Sequence, residues 1–300
     1  MAEEYCLKIK PLFIWSGGKT KMLKHYNPLF PHTKIETYSE PFFGGGAVFL
    51  SVLERYSPEK IYINDINSGL IGIYRSIQDN VVEFCDGMDE YQSEYLPLDK
   101  SARKEYFYEL RNKNAWEYHD WGDLKESVVL YFLMKTAFNG IWQINKNTNG
   151  RFGTPSGLLN QTDKVYDKSN VVLWNEVLNN YGVEILNGDW KDCPMGDFTF
   201  YDPPYRDSFA NYNTSFPDTE TELLIERVES NRNVWLTNRD SGDGFFENRN
   251  ATLHKFPITY TAGRRKKVEK TDGTIEYNAK KATEILLMGE EDSPLSDFFS

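Results

Sequence analysis

Three short β-like runs, Ile35–Glu40, Ile61–Asp65 and Asp197–Asp202, each close on an acidic residue, and turn or helix-forming residues follow each of them. This pattern limits the fold more than any other feature of the chain. Strands separated by helices belong to a mostly parallel sheet, and such sheets bind ligands beyond the carboxyl ends of their strands, where these acids lie. The first two runs bracket FGGGAVF, a glycine turn opening a helix, so residues 35–67 read as a βαβ unit. Further β-like runs are VEIL at Val183–Leu186, NVWLTN at Asn233–Asn238, FPITYT from Phe256 and TEILLMG from Thr283, with a helical pattern at Glu220–Val228. The last two runs are expected to pair as an antiparallel edge.

Between these β-rich parts the pattern is helical from about Asn67 to Phe138, with apolar residues at helical spacing in Ser101–Arg111 and Leu124–Phe138. The expected organisation is therefore an α/β domain made of residues 1–70 and 165–300, with helices on both faces of its sheet, interrupted by a helical insert at 71–164. Asn139–Gln161 is a long polar loop rich in Asn, Gly, Thr and Ser, and loops of that length often carry function.

A chain of 300 residues, 40% hydrophobic and 26% charged, is long enough and apolar enough to bury a core, which excludes disordered and low-complexity classes. The longest apolar run, Val128–Met134, is far too short to span a membrane, and the acidic start MAEEYCLKIK lacks the basic-then-apolar order of a secretory signal. Three scattered cysteines point to a reducing, cytoplasmic compartment, and four dispersed histidines offer no metal-ligand spacing. No metal and no membrane partner are expected, and a monomer is favoured. The net charge of -11 disfavours indiscriminate nucleic-acid binding, so any such partner must meet a local patch.

The chemistry concentrates in a few motifs. Asp202, Pro203, Pro204 and Tyr205 directly follow the apolar strand Phe198–Tyr201. Proline fixes φ and removes a backbone donor, so the turn presents carbonyl oxygens beside a carboxylate: two convergent acceptors suited to an amino group with two hydrogens. Tyr205 adds a flat face for stacking a ring. The competing reading is a surface turn closed by a packing tyrosine. In EPFFGGGAVF, Glu40 ends a strand and Gly44, Gly45 and Gly46 let the backbone approach a ligand before a helix begins. Neither the GxGxxG nor the GxxxxGK[ST] spacing is present. Asp65 ends the next strand, where an acid can accept from a ribose diol or, alternatively, cap the helix that follows.

FIWSGGK at Phe13–Lys19, EPFFGGGAVF, IYINDIN, AFNGIWQIN and YDPPY, in this order, resemble the Dam-type DNA adenine-N6 methyltransferases over roughly Pro11–Gly289. SFANYNTSF, LTNRD and KKATEILLM are also similar to stretches of that family. The resemblance implies a Rossmann-like class I methyltransferase sheet, a helical target-recognition insert, S-adenosyl-L-methionine as donor and double-stranded DNA as substrate. It implies Trp15, Lys19, Glu40, Phe42, Gly44–Gly46, Asp65, Ile66 and Asp202 as donor contacts, and Asp202–Tyr205 as the catalytic motif acting on the N6 amino group of a flipped adenine.

The loop from Phe138 resembles the family's base-reading segment, with Phe138, Asn139, Trp142, Gln143 and Asn145 as candidate DNA contacts. Gln143 stands where the family commonly has arginine. Arginine suits guanine and glutamine suits adenine, so the expected target is GATC or a variant of it. Gly263–Lys281 holds seven Lys/Arg against three acids, among them Arg264, Arg265, Lys266, Lys267, Lys280 and Lys281, and is read as a phosphate-contacting patch or a solvated hairpin tip. A silent DNA-binding relative of the same fold, and an enzyme acting on RNA or with a modified donor, are the alternatives to a methyltransferase.

Overall fold

The computed structural model describes residues 9–15, 17–117, 123–140, 142–144, 152–157, 163–206, 216–260, 266–269, 275–278 and 280–290. The chain divides into two compact units, the first running to Thr199 and the second beginning at Phe200. Its main sheet has seven strands in the order β3 (Val183–Asn187), β2 (Lys60–Asp65), β1 (Thr37–Glu40), β4 (Phe198–Tyr201), β5 (Val234–Arg239), β9 (Lys280–Met288) and β6 (Thr252–Tyr260), and helices flank it.

In the first unit, β1 (Thr37–Glu40) pairs in parallel with β2 (Lys60–Asp65) and with the start of β4 (Phe198–Tyr201), while β2 pairs in parallel with β3 (Val183–Asn187). Tyr38, Ser39 and Glu40 of β1 and all four residues of β4 are buried, the continuous burial of strands covered on both faces. Between β1 and β2 run the glycine turn and α2 (Ala47–Leu53), as the βαβ reading requires; α1 (Leu23–Tyr26) precedes them.

The connection from β2 to β3 is long and helical: α3 (Ser68–Asp79), α4 (Val81–Tyr95), α5 (Lys100–Glu117), α6 (Leu124–Thr136) and α7 (Lys168–Asn180). Side-chain oxygens of Asn67, Asp99 and Asp123 accept from backbone N–H groups that open α3, α5 and α6. The apolar run Val128–Met134 is the middle of α6, which is buried on all sides and packs against α3, α4 and α5. Trp174 of α7 is fully buried, stacks on Phe49 of α2 at 5.6 Å and meets Tyr74 of α3 at 5.3 Å. One aromatic cluster thus fastens the helix after the glycine turn to the helices that follow β2.

In the second unit, α8 (Asp218–Glu229) leads into β5 (Val234–Arg239). The final strands differ from the expected antiparallel edge in one respect. β6 (Thr252–Tyr260) and β9 (Lys280–Met288) do pair antiparallel, but β9 also pairs antiparallel with β5, so it lies between them and β6 alone is the edge. Burial accounts for this: Ile285, Leu286 and Leu287 are fully buried, whereas β6 alternates between exposed and partly buried residues. A separate two-stranded ribbon joins β7 (Lys266–Glu269) to β8 (Ile275–Asn278).

Candidate active site

In the first unit the carboxyl ends of β1, β2 and β3 converge as the strand pattern requires. Asp65, the last residue of β2, accepts from the backbone N–H of Gly44 at 3.0 Å through one carboxylate oxygen and from that of Asn67 at 2.9 Å through the other. Asn64 donates to the carbonyls of Pro41 and Gly188, and its own carbonyl accepts from Phe43 N–H. The hydroxyl of Tyr74 donates to the Gly44 carbonyl at 3.2 Å. The glycine turn is therefore held through its backbone by the end of β2 and by α3.

Two of its glycines are required by conformation and space. Gly44 has φ +51, and a Cβ there would sit 2.7 Å from the Trp15 ring; Gly46 has φ +68 and precedes α2, and a Cβ there would sit 2.9 Å from both Phe43 and Trp174. Glu40 is buried and accepts from the Tyr38 hydroxyl at 2.7 Å, and burial together with that carboxylate pushes the phenol well above its ordinary range. Burial also raises the Asp65 carboxyl, to about 6, against the backbone hydrogen bonds that favour its charged form. Lys19 is buried and donates from Nζ to the Gly17 carbonyl at 2.7 Å. Phe42 stacks on Trp190 at 6.2 Å, and Ile66 is 75% exposed.

Asp65 does not cap α3: the N-cap is Asn67, whose side chain accepts from Leu70 N–H. That leaves Asp65 bonded to the glycine turn and to the backbone just after its own strand.

In the second unit the Asp-Pro-Pro-Tyr turn follows β4, with Pro203 and Tyr205 buried and Asp202 partly exposed. The Tyr205 hydroxyl donates to the buried Glu284 of β9 at 2.9 Å, and the Arg239 guanidinium lies 5.2 Å from the centroid of its ring. Arg206, the next residue, takes a bidentate grip on Asp218, donates to Asp243 and stacks at 3.5 Å on Phe245, while its backbone N–H meets Asn238. The turn is thus tied to β5, β9 and the start of α8.

Among the recognition candidates, Phe138 is 47% exposed and Asn139 adopts φ +55 just beyond α6. Gln143 is exposed, but Trp142 is buried. Lys266 and Lys267 lie on β7, Lys280 and Lys281 at the start of β9; Asn145, Arg264 and Arg265 lie outside the described residues.

The residues that sequence reasoning passed over are Asn64, Tyr74, Trp190, Arg206, Arg239 and Glu284. Trp190 was within reach of the same rule that found Asp65, since it follows the end of β3. The others present ordinary core or surface patterns along the chain, and no local signal marks them.

The sequence pattern of the D12 class N6 adenine-specific DNA methyltransferases matches residues 15–272. The chain belongs to that family. It is 32% identical over 219 residues to the type II methyltransferase M.MjaIII of Methanocaldococcus jannaschii, covering 69% of this chain and 74% of that protein. It is 28% identical to the type II methyltransferase M1.LlaDCHI of Lactococcus lactis subsp. cremoris, covering 86% and 90%, and 29% identical to M.CviBI of Paramecium bursaria Chlorella virus NC1A, covering 76% and 82%. The resemblance read from the ordered motifs is borne out, as are the Rossmann-like sheet and the assignment as an adenine-specific DNA methyltransferase. Among the described residues, no group of three or more His, Cys, Asp or Glu is placed to hold a metal, and no helix is long and apolar enough to cross a membrane.

Proposed function

We propose that this D12 class methyltransferase transfers a methyl group from S-adenosyl-L-methionine to the N6 amino group of an adenine flipped out of duplex DNA, at GATC or a variant of it. The carrying observation is an acid–proline–proline–tyrosine turn placed directly after a buried parallel strand and tied to its neighbours through Tyr205 and Arg206 in a chain of this family.

The first unit's residues fit such a donor. The glycine turn leaves no room for side chains at Gly44 and Gly46, the desolvated Asp65 carboxylate suits a ribose diol, and Lys19 suits a carboxylate. The exposed side chain of Ile66 and the Phe42–Trp190 stack offer apolar surface to a purine. The donor supplies an electrophilic methyl carbon on a sulfonium centre. The adenine amino nitrogen has its lone pair delocalised into the ring. Asp202 and the Pro203 carbonyl, accepting its two hydrogens, favour a more tetrahedral nitrogen and stabilise the positive charge that develops there. Tyr205 and Pro204 complete the wall against the extruded base.

Residues 71–164 are the target-recognition insert in this reading. Phe138, Asn139 and the exposed Gln143, together with Asn145 of the same segment, read the bases, and the basic stretch 263–281 meets phosphates. Gln143 shifts recognition away from a guanine-reading arginine.

Incubation with labelled donor and mixed-sequence duplex, followed by nucleoside analysis and site mapping, tests the reading. N6-methyladenine at a restricted set of sites supports it, and a strict GATC pattern removes the role given to Gln143. Asp202→Ala is expected to lose methylation while retaining donor binding; full turnover by that variant would defeat the catalytic assignment.

A further inference from the structure

We infer that Trp142, a residue of the recognition segment, is a positioning residue for the donor site and acts through Trp15. The inference rests on the reading of Trp15 as a donor contact.

The segment after α6 turns back on itself. Antiparallel bridges join Ala137 to Ser156 and Ile144 to Phe152, and backbone hydrogen bonds run from Phe138 N–H to the Pro155 carbonyl at 2.8 Å and from Gly153 N–H to the Gln143 carbonyl at 2.6 Å. Gln143 is exposed, and Trp142 is 6% exposed. The residue pair at the heart of the recognition motif is therefore split between two faces.

Trp142 packs on Phe152 at 5.4 Å and on Trp15 at 6.3 Å, the latter with ring planes 36° apart. Trp15 also lies directly against the glycine turn, since a Cβ on Gly44 would come within 2.7 Å of its ring and one on Gly45 within 3.1 Å of its Cβ. The backbone leading to Trp15 is fixed independently: the Leu12 carbonyl accepts from the Tyr131 hydroxyl and from Lys135 Nζ, both at 3.2 Å, and Ile14 sits 3.4 Å from where a Cβ on Gly140 would lie. With main chain and glycine turn both set, Phe13, 5.9 Å from Trp15 between ring centroids, and Trp142 supply aromatic surface against which the Trp15 indole is tilted. The Trp142 indole N–H has no hydrogen-bond partner among the described residues.

The test uses the full chain with Trp142→Ala, Trp142→Phe and Trp15→Ala, and S-adenosylhomocysteine as the probe, titrated by calorimetry without DNA. Loss of one aromatic pair predicts a weakening of about 3- to 10-fold in Trp142→Ala, with most of the affinity restored in Trp142→Phe. In turnover the defect falls on the KM for the donor more than on kcat, and the affinity for duplex DNA measured without donor stays within about twofold of wild type. Unchanged probe affinity in Trp142→Ala, with weakened duplex binding, overturns the inference and makes Trp142 a DNA contact. If Trp15→Ala itself leaves probe affinity unchanged, the donor reading of Trp15 falls instead, so the two failures are told apart.

Discussion

Asp65 is held charged by backbone donors and pushed toward neutrality by burial, and burial wins, placing its carboxyl at about 6. In the proposed donor site a ribose diol donates to this carboxylate, so donor binding there would require the charged form. The Kd for S-adenosylhomocysteine is expected to rise by about tenfold per pH unit below 6 and to level off above it. Asp65→Asn should be weak and flat across the same range, and a flat wild-type profile would remove Asp65 from the donor site. Stability runs the other way. Between the ordinary value of 3.8 and about 6 the folded, donor-free protein holds a proton that the unfolded chain lacks. This group therefore favours folding at low pH, and that contribution fades as pH rises through about 6. Tyr205 makes a second prediction at this scale. Tyr205→Phe keeps the ring but strips the buried Glu284 of a hydrogen bond, which should cost about 1–3 kcal/mol in urea denaturation. Glu284→Gln, which keeps an acceptor, should cost less than Tyr205→Phe.

The glycine turn and α2 behave as one element. Gly46 is left-handed, and a Cβ there would lie 2.9 Å from Phe43 and from Trp174, so Gly46→Ala combines backbone strain with overpacking. It should lose about 2–4 kcal/mol of stability in denaturant titration; a loss below about 0.5 kcal/mol would mean that the cluster yields easily. The strand ends and turns of this region were legible along the chain because they obey local rules: glycine permits positive φ, and an acid after an apolar run marks a strand's carboxyl end. The pairing of β9 between β5 and β6 was not legible. Its run TEILLMG reads as a buried strand wherever it is placed, and periodicity carries no information about neighbours. The opposite exposure of the adjacent Trp142 and Gln143 was not legible either, since it follows from what packs against each side chain.

For the molecule as a whole, a net charge of -11 and a stretch of local +4, from seven basic residues against three acids, set opposing terms for DNA. Long-range repulsion is screened within about 8–10 Å at physiological salt, whereas direct phosphate contacts release counterions. Lys280→Ala and Lys281→Ala are each expected to reduce the slope of log K against log salt by about one, with little change in target preference. An unchanged slope would leave the patch a solvated ribbon.

The sequence by itself determined the class of sheet, the family, and the positions where acids, glycines and the Asp-Pro-Pro-Tyr turn stand at strand ends, because each depends on neighbours within a few residues. Only the tertiary structure decided what holds those residues in place. Glu284 reaches Tyr205 across 79 residues of chain, and Trp142, after α6, meets Trp15, before α1. Such contacts follow from how strands and helices pack, and packing selects partners by shape and burial rather than by any pattern either residue carries locally.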